Sequence, residues 1–237
     1  MNFGSGIGTV YDPEKDSPAD LKKLAVMTSA ITAENSRGLN VRMLIETGPF
    51  VVCNAGTYYT PIVDIKESWG RKFLIVENGM NGFLRPAIAN LLQKAADGRA
   101  LPGQEPLCTG EHECAIQVLN TSNEKERVSL VGNHCTALDV LAENIELNKA
   151  KIGDLIAVTN AGSYANSLSP LLFSSHTPPS QYGLKGRTLE QRKQVRPSNK
   201  TPPPSITGCA SLSKYASFAR KSRKRLKNKG FRDFPIS

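Results

Sequence analysis

The sequence predicts an α/β segment followed by a β-rich domain and a strongly basic tail. Three observations carry this. A Gly-rich loop, a helical pattern and a strand run succeed one another within residues 1–48. Residues 50–158 then hold short runs of β-branched and aromatic residues separated by Gly and Asn turns. Finally, residues 185–237 carry 15 Lys and Arg against 2 acids, whereas the other 184 residues are net −4 in a chain of net +9. The expected divisions are therefore 1–48, 49–184 and 185–237.

The first division opens on Met1-Asn2-Phe3, read as a strand end, and then Gly4-Ser5-Gly6-Ile7-Gly8. Glycines there let backbone N–H groups approach an anion closely, although an ordinary tight turn satisfies the same pattern. Asp16-Ser17-Pro18-Ala19-Asp20 reads as a helix start. Leu21, Leu24, Ala25, Thr28 and Ile31 recur at helical spacing up to Asn35-Ser36-Arg37-Gly38. Val41–Ile45 is a strand run ending at Glu46-Thr47-Gly48-Pro49. Ligands gather where the strands of such layouts end. Glu46 is placed for that role and equally for a solvated loop.

Strands are expected over Phe50–Cys53, Tyr58–Glu67 and Phe73–Val76, with Ser68–Lys72 as a hairpin connection. Glu77–Gly82 is a polar loop leading to Phe83-Leu84-Arg85-Pro86-Ala87, and residues 97–112 read as an irregular surface loop. Further strands are expected at 113–119, 127–131, 141–147 and 153–158. Between them lies Gly132-Asn133-His134-Cys135-Thr136-Ala137-Leu138-Asp139, and beyond them Asn160-Ala161-Gly162-Ser163-Tyr164-Ala165.

Composition limits the function classes. No apolar run reaches the roughly 18 residues of a membrane span, so no membrane partner is expected. No secretory signal is visible. Five scattered cysteines fit a reducing, cytoplasmic setting better than a disulfide framework. Cys108, His112 and Cys114 match no zinc spacing, so no metal is expected. The run Arg220–Lys229 has no aromatic platform and reads as a solvated, disordered tail rather than a nucleic-acid contact.

In their order along the chain, these motifs resemble the pyridoxal-phosphate decarboxylases related to diaminopimelate and ornithine decarboxylase. Gly4-Ser5-Gly6 stands for the family's Gly-Gly-Gly loop and Glu46-Thr47-Gly48-Pro49 for its Glu-Pro-Gly-Arg loop. Gly79-Met80-Asn81 through Arg85-Pro86-Ala87, His134-Cys135-Thr136 and Gly162-Ser163-Tyr164 resemble its three later motifs. The resemblance implies the end of an (α/β)8 barrel followed by a C-terminal β domain of barrel or sandwich type. It also implies pyridoxal 5'-phosphate as cofactor. Gly4, Ser5 and Gly6 would hold the phosphate, Glu46 would face the ring nitrogen, and Thr47, Gly48 and Tyr164 would bind the cofactor. Arg85 would take a substrate carboxylate. Cys135 would be the proton donor, supplied across a homodimer interface, although a structural cysteine is the commoner case.

The sequence departs from the family in four ways. Only three residues precede Gly4, so the early barrel strand with the cofactor-bearing lysine is expected outside this sequence, and the chain is expected to be inactive alone. An N-terminal barrel fragment or a full-length relative is then the expected partner. Pro49 replaces an arginine. Thr136 replaces the glutamate that reads the far amino group of diaminopimelate, and Ala89 a tyrosine, which points to carrier-bound or secondary-metabolite amino acids. Residues 185–237 match nothing in the family. The alternative reading is a non-catalytic dimerisation or regulatory homologue.

Overall fold

The computed structural model describes residues 2–4, 6–35, 42–97, 99, 107 and 114–192. Ser5, the candidate metal residues Cys108 and His112, and the basic run at 220–229 lie outside the described residues. The chain divides into two units, Met1–Pro178 and Pro179–Ser237.

In the first unit, helix α1 spans Leu21–Asn35. Its cap is Asp20, the last residue of the expected helix start, whose side chain accepts the Lys23 N–H at 3.0 Å. Asp16 instead accepts the amides of Tyr11 and Asp12 and closes the preceding turn. The strand run at 41–45 reduces, among the described residues, to one parallel bridge between Asn2 and Leu44.

The expected strand at Phe50–Cys53 is helical instead: α2 spans Gly48–Val52, and a 3-10 turn follows over Cys53–Ala55. Pro49 explains this. It sits in the first helical turn, where its missing N–H costs nothing and its fixed φ suits the helix. The β propensity of Val51 and Val52 is overridden.

The rest of the unit is a six-stranded sheet. Its strands are β1 Tyr58–Ser68, β2 Arg71–Val76, β3 Ile116–Val118, β4 Lys125–Val131, β5 Val140–Asn148 and β6 Leu155–Val158. Their spatial order is β3-β6-β1-β2-β4-β5. Among the described strands of this sheet, only β2 and β4 run parallel. That pairing requires a long crossover, which carries helix α3, Leu84–Ala96. Strands β3 and β5, the two ends of the order, approach one another, so the sheet forms a nearly closed barrel.

The β1–β2 turn has Trp69 and Gly70 both at positive φ, 53° and 69°. That geometry matches the right-handed twist of a two-residue hairpin. On β1, Tyr58, Thr60 and Ile62 are buried while Tyr59 and Val63 face out. With Leu74, Val76, Phe83, Leu130, Ile156 and Val158, the inward Tyr58 and Ile62 form the core. Each such side chain contributes about 1.5–3 kcal/mol on burial. No residue of α1 is buried. Leu21, Val26, Met27 and Ile31 are all exposed on it.

In the second unit, β7 Tyr182–Lys185 and β8 Thr188–Gln191 pair as an antiparallel hairpin.

Candidate functional site

The first cluster begins where the two parallel segments meet. The Phe3 N–H donates to the Leu44 carbonyl at 3.0 Å, and the Glu46 N–H to the Gly4 carbonyl at 2.8 Å. Two loops 40 residues apart in sequence are thereby placed side by side. Gly4 and Gly6 stand at φ of 68° and 138°, conformations open chiefly to glycine. Glu46 is exposed. Its Oε1 accepts the Asn2 side-chain amide at 2.9 Å, and Asn2 Oδ1 accepts the Gly4 N–H at 2.8 Å. Asn2 therefore bridges the two loops. Nothing in the pattern of a short Met-Asn-Phe start marks Asn2 for this position.

Gly48 and Tyr164 are the second contact. The Tyr164 hydroxyl lies 3.8 Å from where a Cβ on Gly48 would stand. Tyr164 is at φ 61°, a left-handed position beginning the short helix α4, Ala165–Leu168. The loop before it is locked onto the α2 turn, since the Gly162 N–H donates to the Cys53 carbonyl at 2.9 Å and the Ala161 N–H to the Gly56 carbonyl at 3.0 Å. Cys53 is buried, and its Sγ contacts the Asn160 carbonyl at 3.2 Å. On its other side, Tyr164 carries the Arg85 guanidinium 5.8 Å from its ring centroid, within cation–π range. Arg85 is buried one residue inside α3. Thr47 is half-buried beside Gly48.

Cys135 and Thr136 stand in a second cluster, on the loop between β4 and β5. Cys135 is exposed, and its Sγ lies 3.9 Å from Ser174 Oγ. His134, on the same loop, is buried. Its Nδ1 is 2.5 Å from Asp139 Oδ2, and its ring stands 4.3 Å from His176 and 5.5 Å from Phe173, centroid to centroid. A carboxylate has no proton to give, so Nδ1 carries the hydrogen. Asp139 was legible as an acid inside the apolar run Leu138–Leu141, a position that demands partners. Ser174 and His176, by contrast, are brought in from 40 residues downstream by the fold.

The two clusters meet known proteins at this point. A family model described as the pyridoxal-dependent decarboxylase C-terminal sheet domain matches residues 9–162, and the chain belongs to that family. The family's cofactor is pyridoxal phosphate. The chain is 29% identical over 193 residues to diaminopimelate decarboxylase of Methanothermobacter thermautotrophicus, covering 80% of this chain and 38% of that one. It is 26% identical over 181 residues to the L-glutamyl-[BtrI acyl-carrier protein] decarboxylase of Niallia circulans, covering 76% and 39%. Diaminopimelate decarboxylase of Helicobacter pylori complexed with L-lysine superposes with a TM-score of 0.59 at 25% identity, covering 80% of this chain and 40% of that one. The M. jannaschii enzyme in complex with L-lysine has a TM-score of 0.62 at 24% identity over 80% and 39%, a likeness of fold. The chain thus spans about two-fifths of the length of these relatives.

The residues present fit part of the cofactor. Gly4 and Gly6 leave open space where side chains would stand, with nothing within 4 Å of a Cβ built on either. Glu46 is an exposed carboxylate, and the Tyr164 hydroxyl stands beside Gly48. In this family the pyridoxal ring would supply the electron sink for loss of carbon dioxide. Among the described residues no helix is long and apolar enough to cross a membrane.

Proposed function

We propose that this chain is the C-terminal portion of a pyridoxal-phosphate-dependent amino-acid decarboxylase, inactive until it meets the remainder of an α/β barrel. One observation carries the reading. Loops around residues 4, 46–48, 85 and 164 are neighbours in space: Gly4 bonds Glu46, Gly48 faces Tyr164, and Tyr164 faces Arg85. In this reading α1 and the segments at 2–4 and 42–46 are the last part of an (α/β)8 barrel. The uncovered apolar residues of α1 support that.

The roles follow from the side chains. Glu46 holds a proton on the ring nitrogen by charge pairing. Gly4, Ser5 and Gly6 recognise the phosphate through backbone N–H groups, and Thr47 and Gly48 belong to the same cofactor site. Tyr164 orients the ring, and Arg85 binds a substrate carboxylate. Cys135 delivers a proton to the carbon that lost carbon dioxide, acting across a homodimer interface. The substrate is an amino acid other than diaminopimelate, and a carrier-bound amino acid suits Thr136 and Ala89. The 26% identity to a carrier-protein glutamate decarboxylase supports this.

The test is reconstitution. An N-terminal barrel fragment bearing the cofactor lysine, mixed with this chain, is expected to bind pyridoxal phosphate with absorbance near the visible edge and to release carbon dioxide. Failure to load with fragments from several relatives defeats the proposal. A folded dimer that instead alters the activity of a full-length relative supports the regulatory reading.

A further inference from the structure

We infer that Asp139 and His134 form the positioning pair of the cysteine loop and tie it to the turn that leads into Arg85. The assignment rests on the proposed function, because it gives Cys135 something to be positioned for.

The geometry centres on one carboxylate. Asp139 Oδ2 accepts the His134 Nδ1 hydrogen at 2.5 Å and the His134 backbone N–H at 3.2 Å. Oδ1 accepts the Met80 N–H at 2.7 Å. The carboxylate thus grips His134, the residue before Cys135, with one oxygen and Met80 in the Gly79–Phe83 turn with the other. Two glycines make room for it. A Cβ on Gly79 would stand 2.0 Å from Oδ1, and one on Gly132 2.0 Å from Oδ2. Neither glycine is at positive φ, so close approach to Asp139 is what requires them.

The same carboxylate's backbone closes the loop. The Gly132 N–H donates to the Asp139 carbonyl at 3.0 Å, and the Thr136 N–H to the His134 carbonyl at 2.8 Å. Cys135 is held at the outer edge of this knot, with Sγ in solvent beside Ser174. The second turn is equally tight. Gly82 and Phe83 both donate to the Gly79 carbonyl at 3.1 Å, and α3 begins at the next residue. Arg85 follows within that first helical turn. One buried carboxylate therefore sets the proton-donor loop and the Arg85 turn together. The His134 ring, packed against Phe173 and His176, is kept in the plane that the Asp139 bond needs.

The experiment is amide hydrogen exchange on the 237-residue chain, with iodoacetamide alkylation of Cys135 read on its own peptide. Asp139→Ala is expected to speed exchange in 79–83 and 132–139 together, by on the order of tenfold, while β1 and β6 stay protected. His134→Ala is expected to speed exchange only in 132–139 and to change Cys135 alkylation at least about threefold. His134→Asn, whose side-chain N–H stands where Nδ1–H stood, is expected to restore both. If Asp139→Ala loses protection throughout the sheet, the His134 variants decide. Exchange and alkylation unmoved by His134→Ala, or no rescue by Asn, overturns the inference, as does an alkylation rate indifferent to a loosened loop. Failure of the chain to load cofactor with a barrel fragment would leave this exchange result standing, so the two readings fail separately.

Discussion

Gly162 and Val52 touch so closely that a Cβ on Gly162 would lie 1.6 Å from the Val52 carbonyl oxygen. This contact joins the end of α2 to the loop that presents Tyr164. It is backbone against backbone, so no side-chain rotation relieves it. Gly162→Ala is expected to destabilise the chain by about 1–3 kcal/mol, read as a lower urea midpoint at unchanged slope. Gly8→Ala, where a Cβ meets nothing within 4 Å, is the control and should stay within about 0.5 kcal/mol.

Tyr58 makes stability depend on alkaline pH. Its hydroxyl donates to the Asn78 carbonyl at 2.6 Å, and burial pushes its pKa well above the ordinary 10.0. The folded chain therefore keeps this proton at a pH where the unfolded chain has lost it, so the contribution is complete below pH 10 and declines as pH rises beyond it. Tyr58→Phe should lower stability near neutrality by about 0.5–1.5 kcal/mol. It should also flatten the fall above pH 10 in a denaturation series. An equally steep fall in the variant would place the alkaline sensitivity elsewhere.

Cys135 and Cys53 should differ sharply towards alkylating reagents. Cys135 is exposed on its loop, whereas Cys53 has no accessible surface and lies under the Asn160 carbonyl. Iodoacetamide on the native chain is expected to label Cys135 at least about a hundredfold faster than Cys53, because Cys53 reacts only through opening. Comparable rates measured by peptide mass would refute the assigned burial.

The face of α1 is expected to serve association rather than folding. Leu21, Val26, Met27 and Ile31 are exposed by 49, 70, 52 and 44%. Replacing Val26 and Met27 by serine should move stability by less than about 0.5 kcal/mol. The same change should weaken capture of an N-terminal barrel fragment about tenfold or more, since two apolar side chains no longer bury there. Unchanged capture would remove α1 from that interface.

Glu46→Gln tests the cofactor side. Gln keeps an acceptor for Asn2 but loses the charge, and Glu46 is exposed, so the fold should be untouched. Pyridoxal phosphate loading of the reconstituted complex should weaken by about 1.5–3 kcal/mol, the worth of one charged hydrogen bond. Equal loading of both chains would take Glu46 out of the site.

The hairpin at Trp69-Gly70, the strand at Tyr58–Glu67 and the motif order were legible in the sequence, because turn chemistry, β-branched and aromatic content and spacing are local properties. Tertiary structure decided what local pattern could not. The crossover through α3 made β2 and β4 parallel. Asn2 came to bridge Gly4 and Glu46, and Ser174 and His176 came to stand beside Cys135 and His134. Those partners lie about 40 residues apart. The gain from such contacts appears only once the barrel has closed and the entropy of bringing distant loops together has been met. A window of neighbouring residues therefore contains no sign of them.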